Sequence, residues 1–408
     1  MDPDAPAPGD PLSAARRALA EGENFRAYDL AEAVPDGPGG PSPEKTHLMA
    51  LALARSGSGL RARELAATLP DGDDTEIAGL RSRLFKDLAR VAFDPEERRR
   101  CFAAAADASE RVFAAKGNWY NGINAASCRL LAGDRDRALR LVREKVLPLC
   151  EAEPARDLWL VATLGECRLL LGDFDEAAAL YHEAAAMADA EGRLGDLAST
   201  LRQLRLLADA VGPGAARVLA GLDLPCVAVF SGHRIDDPGR PSPRFPPAAE
   251  EGVRRRLRGI VRSRRVAFGY ASCACGGDIL FLEEVLDAGG RVVVAPPLPL
   301  EKAVARSVAT APGDWEARLR AVLAHPKATL LEAECDETGE DDAVVYSFCN
   351  RHLFGLAMLK ARELGFPLRG VCVWDGRRGA TPGGTSSAVQ RWRMAEIPVD
   401  VVPPREGT

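Results

Sequence analysis

Two hydrophobic rhythms divide the chain. From about residue 11 to 212, alanine and leucine recur every three or four positions, with Gly-Asp or Pro breaking the pattern every fifteen to twenty residues. That spacing predicts helices with one apolar stripe, and the breaks mark their ends. Beyond Val211-Gly212-Pro213-Gly214 the rhythm changes. Short apolar runs appear at Cys226–Phe230, Arg265–Phe268, Arg291–Ala295, Ala328–Ala333, Arg369–Trp374 and Val399–Val402. Between them, helical periodicity covers 247–263, 278–288, 300–324, 341–364 and 385–395. Unalternating apolar runs separated by helices predict a doubly wound parallel sheet with both faces covered. The expected organisation is a disordered segment 1–11, a helical domain 12–212, a linker 213–222 and a Rossmann-like sheet domain 223–404.

The helical half repeats itself. Leu164-Gly165 leads through Leu171-Gly172-Asp173-Phe174 to Ala177, Tyr181 and Ala184, and an earlier copy runs Ala126, Leu131, Gly133-Asp134, Ala138 and Val142. Fainter copies lie near Gly57, Ala62 and Ala66, and near Gly22 and Ala27. This is the tetratricopeptide order of small and aromatic positions, in which antiparallel helix pairs meet at a glycine or alanine. The two clear copies are offset by thirty-nine residues, so the array is irregular. Such units bury their apolar faces only by stacking, and the resulting solenoids commonly hold a protein partner; a helical spacer is the alternative. The fold class is thus α + α/β, an irregular tetratricopeptide-like solenoid followed by a doubly wound parallel-sheet domain.

Composition narrows the function classes. At 408 residues, 47% hydrophobic and 27% charged, the chain has material for two cores. A net charge of −6 argues against chain-wide binding to nucleic acid or an anionic membrane. The acidic, proline-broken start lacks the features of an export signal, and no apolar run is long enough for a membrane span. A cytoplasmic protein with reduced cysteines is expected.

Candidate chemistry gathers where strands end, because parallel sheets bind ligands beyond their carboxyl edges. Ser231-Gly232-His233-Arg234 follows the first run, with Arg240 and Arg244 further along the loop. Small residues there admit a ligand to the backbone, and the cations suit phosphate or carboxylate. Gly269, Ser272, Gly276, Gly277 and Asp278 lie in a small-residue stretch that enters a helix, where free N–H groups suit phosphate; Asp278 is equally an N-cap. Cys273-Ala274-Cys275 has no second pair, so no metal is expected. Glu332 opens an acidic run after the fourth strand. Asp375-Gly376 precedes a second glycine-rich loop, with Gly383, Gly384 and Thr385 at its end. Two such loops at one sheet edge point to a nucleotide or another phosphorylated small molecule. The arginine-rich helix at 247–263 lacks interleaved aromatics, and a solvated face or an acidic partner explains it better than nucleic acid.

Ala27-Tyr28-Asp29-Leu30-Ala31, Ala52-Leu53-Ala54-Arg55-Ser56-Gly57, Lys86-Asp87 and Gly122-Ile123-Asn124-Ala125-Ala126 resemble the bacterial proteins whose helical half is called a TRAFs-binding domain, also seen in the central region of apoptosis signal-regulating kinases. The resemblance covers roughly 12–210 and implies an irregular tetratricopeptide array that assembles signalling complexes. Gly232-His233-Arg234, Arg244-Phe245-Pro246, Cys275-Gly276-Gly277-Asp278-Ile279-Leu280 and Val373-Trp374-Asp375-Gly376 resemble the Rossmann-like domains that follow such arrays, which are similar to the SLOG superfamily. That likeness implies sensing or processing of nucleotides and NAD-derived molecules in stress or antiviral signalling. The LOG branch carries P-G-G-x-G-T-x-x-E, against Pro382-Gly383-Gly384-Thr385-Ser386-Ser387-Ala388-Val389-Gln390 here. With Gln390 in place of the glutamate, the carboxylate of that phosphoribohydrolase chemistry is missing.

These readings converge on a signalling protein whose array binds a protein partner and whose sheet domain binds a nucleotide or NAD-derived ligand. The loops at 231–234 and 269–278 are expected to cradle phosphate and ribose, and the 375–385 loop to close the site. The alternatives are a hydrolase of an N-glycosidic or phosphate bond, using His233, Asp278, Glu332 and Asp375 as acid–base groups, and a scaffold whose sheet domain holds no ligand. Homo-oligomerisation stays open.

Overall fold

A computed structural model describes residues 10–237, 239–332, 342–377 and 383–405. Most of the expected disordered segment 1–11, the acidic run after Glu332 and the middle of the second glycine-rich loop lie outside the described residues. The chain divides into two compact units, Met1–Asp223 with Glu363–Gly365, and Leu224–Arg362 with Phe366–Thr408.

The first unit is a succession of antiparallel helices. They are α1 (Ser13–Glu21), α2 (Asn24–Glu32), α3 (Pro43–Ser56), α4 (Gly59–Ala67), α5 (Thr75–Val91), α6 (Pro95–Lys116), α7 (Trp119–Leu131) and α8 (Arg135–Leu141), then α9 (Leu147–Ala152), α10 (Leu158–Leu171), α11 (Phe174–Ala190), α12 (Leu194–Val211) and α13 (Pro213–Gly221). A π-helical turn, Val142–Val146, joins α8 to α9. The repeated Gly-Asp has a physical reading. Gly133 and Gly172 sit at φ +97° and +91°, a conformation that L side chains rarely adopt, and the following Asp134 N–H and Asp173 N–H bond back to the carbonyls of Arg129 and Arg168. Asp134 then caps α8 by accepting from Arg137 N at 3.2 Å. The small positions serve packing. A Cβ on Gly165 would lie 3.4 Å from the Tyr181 ring, and one on Gly122 would lie 2.9 Å from Phe113. Residues 213–222, read above as a linker, contain α13, whose Ala215 and Val218 join the same core as Tyr181 and Leu204.

The second unit holds β1 (Cys226–Gly232), β2 (Val266–Ala271), β3 (Arg291–Val294), β4 (Ala328–Leu330), β5 (Leu368–Val373) and β6 (Val399–Val402). All pair in parallel in the order β4-β3-β2-β1-β5-β6. Its helices are α14 (Glu250–Ser263), α15 (Gly277–Asp287), α16 (Leu300–Ser307), α17 (Trp315–Ala324), α18 (Asp342–Leu364) and α19 (Thr385–Met394). The predicted helix 300–324 is therefore two helices, because Pro312-Gly313 interrupts it and Gly313 takes φ +115°. Burial concentrates where α15 crosses the sheet. Phe281 stacks on Phe230 with ring centroids 4.6 Å apart, and both are nearly inaccessible. The chain steps outward from β1 through β2 and β3 to β4, then returns across the sheet to β5 on β1's other side. The order thus reverses between β1 and β5, the position at which sheets of this kind form a ligand-binding crevice.

Candidate functional site

β1 extends further than its apolar run, so Ser231 and Gly232 are its last residues and His233 is the first to leave it. β5 ends at Val373, one residue before Trp374 and two before Asp375. The register pairs Gly232 with Val373, which sets the two departing loops side by side. His233 Nε2 lies 3.1 Å from Asp375 Oδ1, and both side chains are 10% exposed. Arg244 Nε lies 3.7 Å from the other oxygen, Oδ2. Ser231 Oγ donates to Thr385 Oγ1 at 3.5 Å. Thr385 opens α19, with Gly384 rather than Thr385 at the N-cap position.

The electrostatics follow from this packing. Burial opposes the charge on Asp375, but the Arg377 N–H, His233 and Arg244 outweigh it and hold the carboxyl below its ordinary value. Burial pulls His233 down, against Asp375 and with Arg244 and Arg240, so the imidazole is neutral at pH 7. A neutral imidazole against an ionised carboxylate is oriented to accept or relay a proton, and the nearby guanidinium suits an anionic group.

The loop that supplies Arg244 is anchored. Asp236, 5% exposed, accepts from Arg244 N and Phe245 N at 2.8 Å each, and Phe245 is fully buried. Arg234 turns away from the crevice, donating to the carbonyl of Arg306 and facing Asp237. Asp236 is thus a positioning residue, a role that its local sequence does not signal. Tyr346 and Asn350 of α18 were also missed. Asn350 Nδ2 donates to the carbonyl of Gly383 at 2.9 Å, and a Cβ on Gly383 would come 2.6 Å from the Tyr346 side chain. Nothing in the local sequence of α18 signals that contact.

The 269–278 stretch is built differently from the β1/β5 crevice. Gly269 lies inside β2, where a Cβ would come 3.0 Å from the Phe281 ring. Gly232 and Gly277 approach backbone to backbone, and a Cβ on Gly276, at φ +98°, would come 2.6 Å from Ile235 N. The amides there already donate to protein oxygens, Gly277 N to His233 O at 3.1 Å, Cys275 N to Ser307 O at 2.8 Å and Ala274 N to Asp278 Oδ2 at 3.1 Å. Ser272 is half-buried at the mouth of this stretch. Asp278, 6% exposed, is not the N-cap; Gly276 occupies that place. Burial pushes its carboxyl up to about 7, despite N–H donation from Ala274 and Gly232. Burial also pushes the Cys273 thiol up to about 12, and Cys275 rises for the same reason, which leaves neither as a ready thiolate. Among the described residues no three His, Cys, Asp or Glu side chains gather as metal ligands.

The sheet order carries Glu332 away from this cluster. It follows β4, three strand spacings or about 14 Å from β1, and accepts from Leu300 N at 2.7 Å at the start of α16. The structure therefore brings together Ser231, Gly232, His233, Arg244, Asp375 and Thr385. Gly376, Gly383 and Gly384 lie on the adjoining loop; Glu332 is elsewhere.

One family profile, described as Tetratricopeptide Repeats-Sensor (TPR-S), matches residues 24–129. No curated protein matches the chain. Among solved structures, TTC0263, a thermophilic TPR protein of Thermus thermophilus, is 24% identical over 48% of this chain and all of its own, with a TM-score of 0.37. LpoA of Haemophilus influenzae is 11% identical over 89% of this chain and 73% of its own, with a TM-score of 0.21. The helical unit is tetratricopeptide-like, and the chain as a whole combines it with a parallel-sheet unit. Among the described residues no helix is long and apolar enough to cross a membrane.

Proposed function

We propose that the sheet unit binds a nucleotide or NAD-derived ligand in the β1/β5 crevice, and that the tetratricopeptide-like unit holds a protein partner, the two together serving signalling. The observation that carries this reading is the cluster of His233, Asp375, Arg244 and the Ser231–Thr385 hydroxyl pair at the point where strand order reverses. Ligands of parallel sheets bind at that point because two loops part there and leave a crevice. The guanidinium offers an anion partner and the hydroxyls and carboxylate suit ribose. The likeness of the sheet half to SLOG-type domains and of the helical half to TRAFs-binding domains agrees with this reading, as does the word "sensor" in the description of the matched family.

Calorimetry of the full chain against NAD, ADP-ribose and cyclic AMP tests it. Binding heat is expected with at least one, weakened tenfold or more by His233→Ala or Asp375→Asn. Silence with all three ligands overturns the proposal. A second reading, hydrolysis of an N-glycosidic or phosphate bond, is favoured by one feature, the neutral imidazole set against an ionised aspartate. Free base or phosphate accumulating in the same titrations, and stopping with Asp375→Asn, decides for it.

A further inference from the structure

The helical array closes on itself. α1 packs on α12 so tightly that a Cβ on Gly195 would come 2.1 Å from the carbonyl of Leu19. Successive helices then turn polar side chains into a shared interior, where an ordinary solenoid leaves an open concave face. Arg55 of α3 reaches both seams of the closure, donating to Leu19 O at 2.9 Å and to Asp196 Oδ1 at 3.3 Å. Arg83 of α5 donates to the carbonyl of Ala54, beside Arg55. One turn along α5, Lys86 Nζ bonds Asn124 Oδ1 of α7 and Gln203 Oε1 of α12. Gln203 adjoins Arg202 on α12.

The carboxylates that face these cations are Asp87, Asp196, Glu76, Glu166 and Glu363, and two of them are divided between guanidiniums. Asp196 is shared by Arg55 and Arg193, and Asp87 by Arg83 and Arg90, so each carboxylate serves two guanidiniums. Arg202 donates from Nη2 to the backbone carbonyl of Glu363, a residue of the same unit, while its Nη1 is buried without an acceptor among the described residues. Arg55 is 9% exposed, and its Nε likewise has no hydrogen-bond acceptor among the described residues. Burial, Arg202 and Arg55 pull the Arg83 guanidinium down to about 9, against Asp87; burial, Arg55 and Arg90 pull Arg202 down to about 10, against Asp87 and Glu363. Buried cations that repel one another are costly unless an anion joins them.

We infer that Arg55, Arg83 and Arg202 form an anion site inside the helical unit, separate from the sheet crevice, for the phosphate groups of a small phosphorylated molecule. Guanidinium forks match phosphate oxygens in geometry as well as charge. Burial of the donors favours a small ligand over a peptide, since fewer polar groups must leave water with it.

Sodium pyrophosphate, added to the full chain at constant ionic strength, is the probe. The thermal midpoint is expected to rise with pyrophosphate in wild type and in His233→Ala. In Arg83→Gln and Arg202→Gln the half-effect concentration moves up at least tenfold. Without pyrophosphate both glutamine variants are expected to melt no lower than wild type, since each removes a repelled charge; a purely structural arginine predicts the reverse. If a glutamine variant does not fold, Arg83→Lys and Arg202→Lys keep the charge but lose the fork, and a tenfold weakening is required of them. No rise in wild type, a rise undiminished in the arginine variants, or one lost only in His233→Ala overturns the inference.

Discussion

Asp278 keeps its carboxyl group almost out of water, with backbone N–H donors from Ala274 and Gly232. Its ordinary value in the unfolded chain is about 3.9, and burial in the folded chain raises it to about 7. Between those values the folded protein holds a proton that the unfolded chain has released. Stability from this group is therefore full below about 4, falls as pH rises toward 7, and is flat above. Asp278→Asn keeps an acceptor oxygen and removes the titration. The midpoint of the variant relative to wild type is expected to rise between pH 5 and pH 8, and a difference that does not change with pH rejects the buried, raised carboxyl. At this scale the sequence singled out the residue but not its circumstance. Asp278 read as an N-cap or a ligand contact, and it is neither an N-cap nor exposed. Its burial depends on the glycine-to-glycine approach of Gly232 and Gly277, forty-five residues apart, and no local pattern encodes that approach.

The arginine-rich helix α14 shows what an element resolves. A solvated face or an acidic partner were both open, and the partner is the neighbouring helix of the same unit. Arg254 bonds Glu283 and Glu284 of α15, Arg258 grips Glu284 through two nitrogens, and Arg318 joins Glu283 to Glu250. Glu284 is 1% exposed in its side chain, so those guanidiniums stand in for the water it has lost. Arg254→Ala is expected to cost about 3 kcal/mol, because it strips a partner from a buried carboxylate. Arg255→Ala, on the exposed face, is expected to stay within about 0.5 kcal/mol. Urea unfolding of the two variants beside wild type checks the pair, and equal costs reject the α14–α15 network as the reason for the arginines. The periodicity of α14 was plain in its sequence, but the acceptors on α15 lie some thirty residues further along, where only packing brings them into reach.

For the whole chain, strand order decides which candidates share a site. Glu332 and Asp375 looked equivalent as acidic residues following apolar runs. The sheet sends one to an edge beyond β4 and the other to the reversal point beside β1. In the ligand titrations, Glu332→Gln is expected to change affinity by less than twofold, whereas Asp375→Asn costs tenfold or more; a Glu332→Gln loss matching that of Asp375→Asn rejects the β1/β5 placement. Hydrophobic rhythm alone determined that helices precede a six-run α/β half. It also placed the small and aromatic repeat positions, because periods of 3.6 and 2 and the Gly-Asp breaks are local properties of the chain. Pairings between distant residues were decided by tertiary structure: His233 with Asp375 across 142 positions, Arg55 with Asp196 across 141, and the closure of α1 on α12. Parallel strands of similar apolar character carry no label for their neighbours, so their order follows from how the helices cover both faces of the sheet, and the pairings follow from that order.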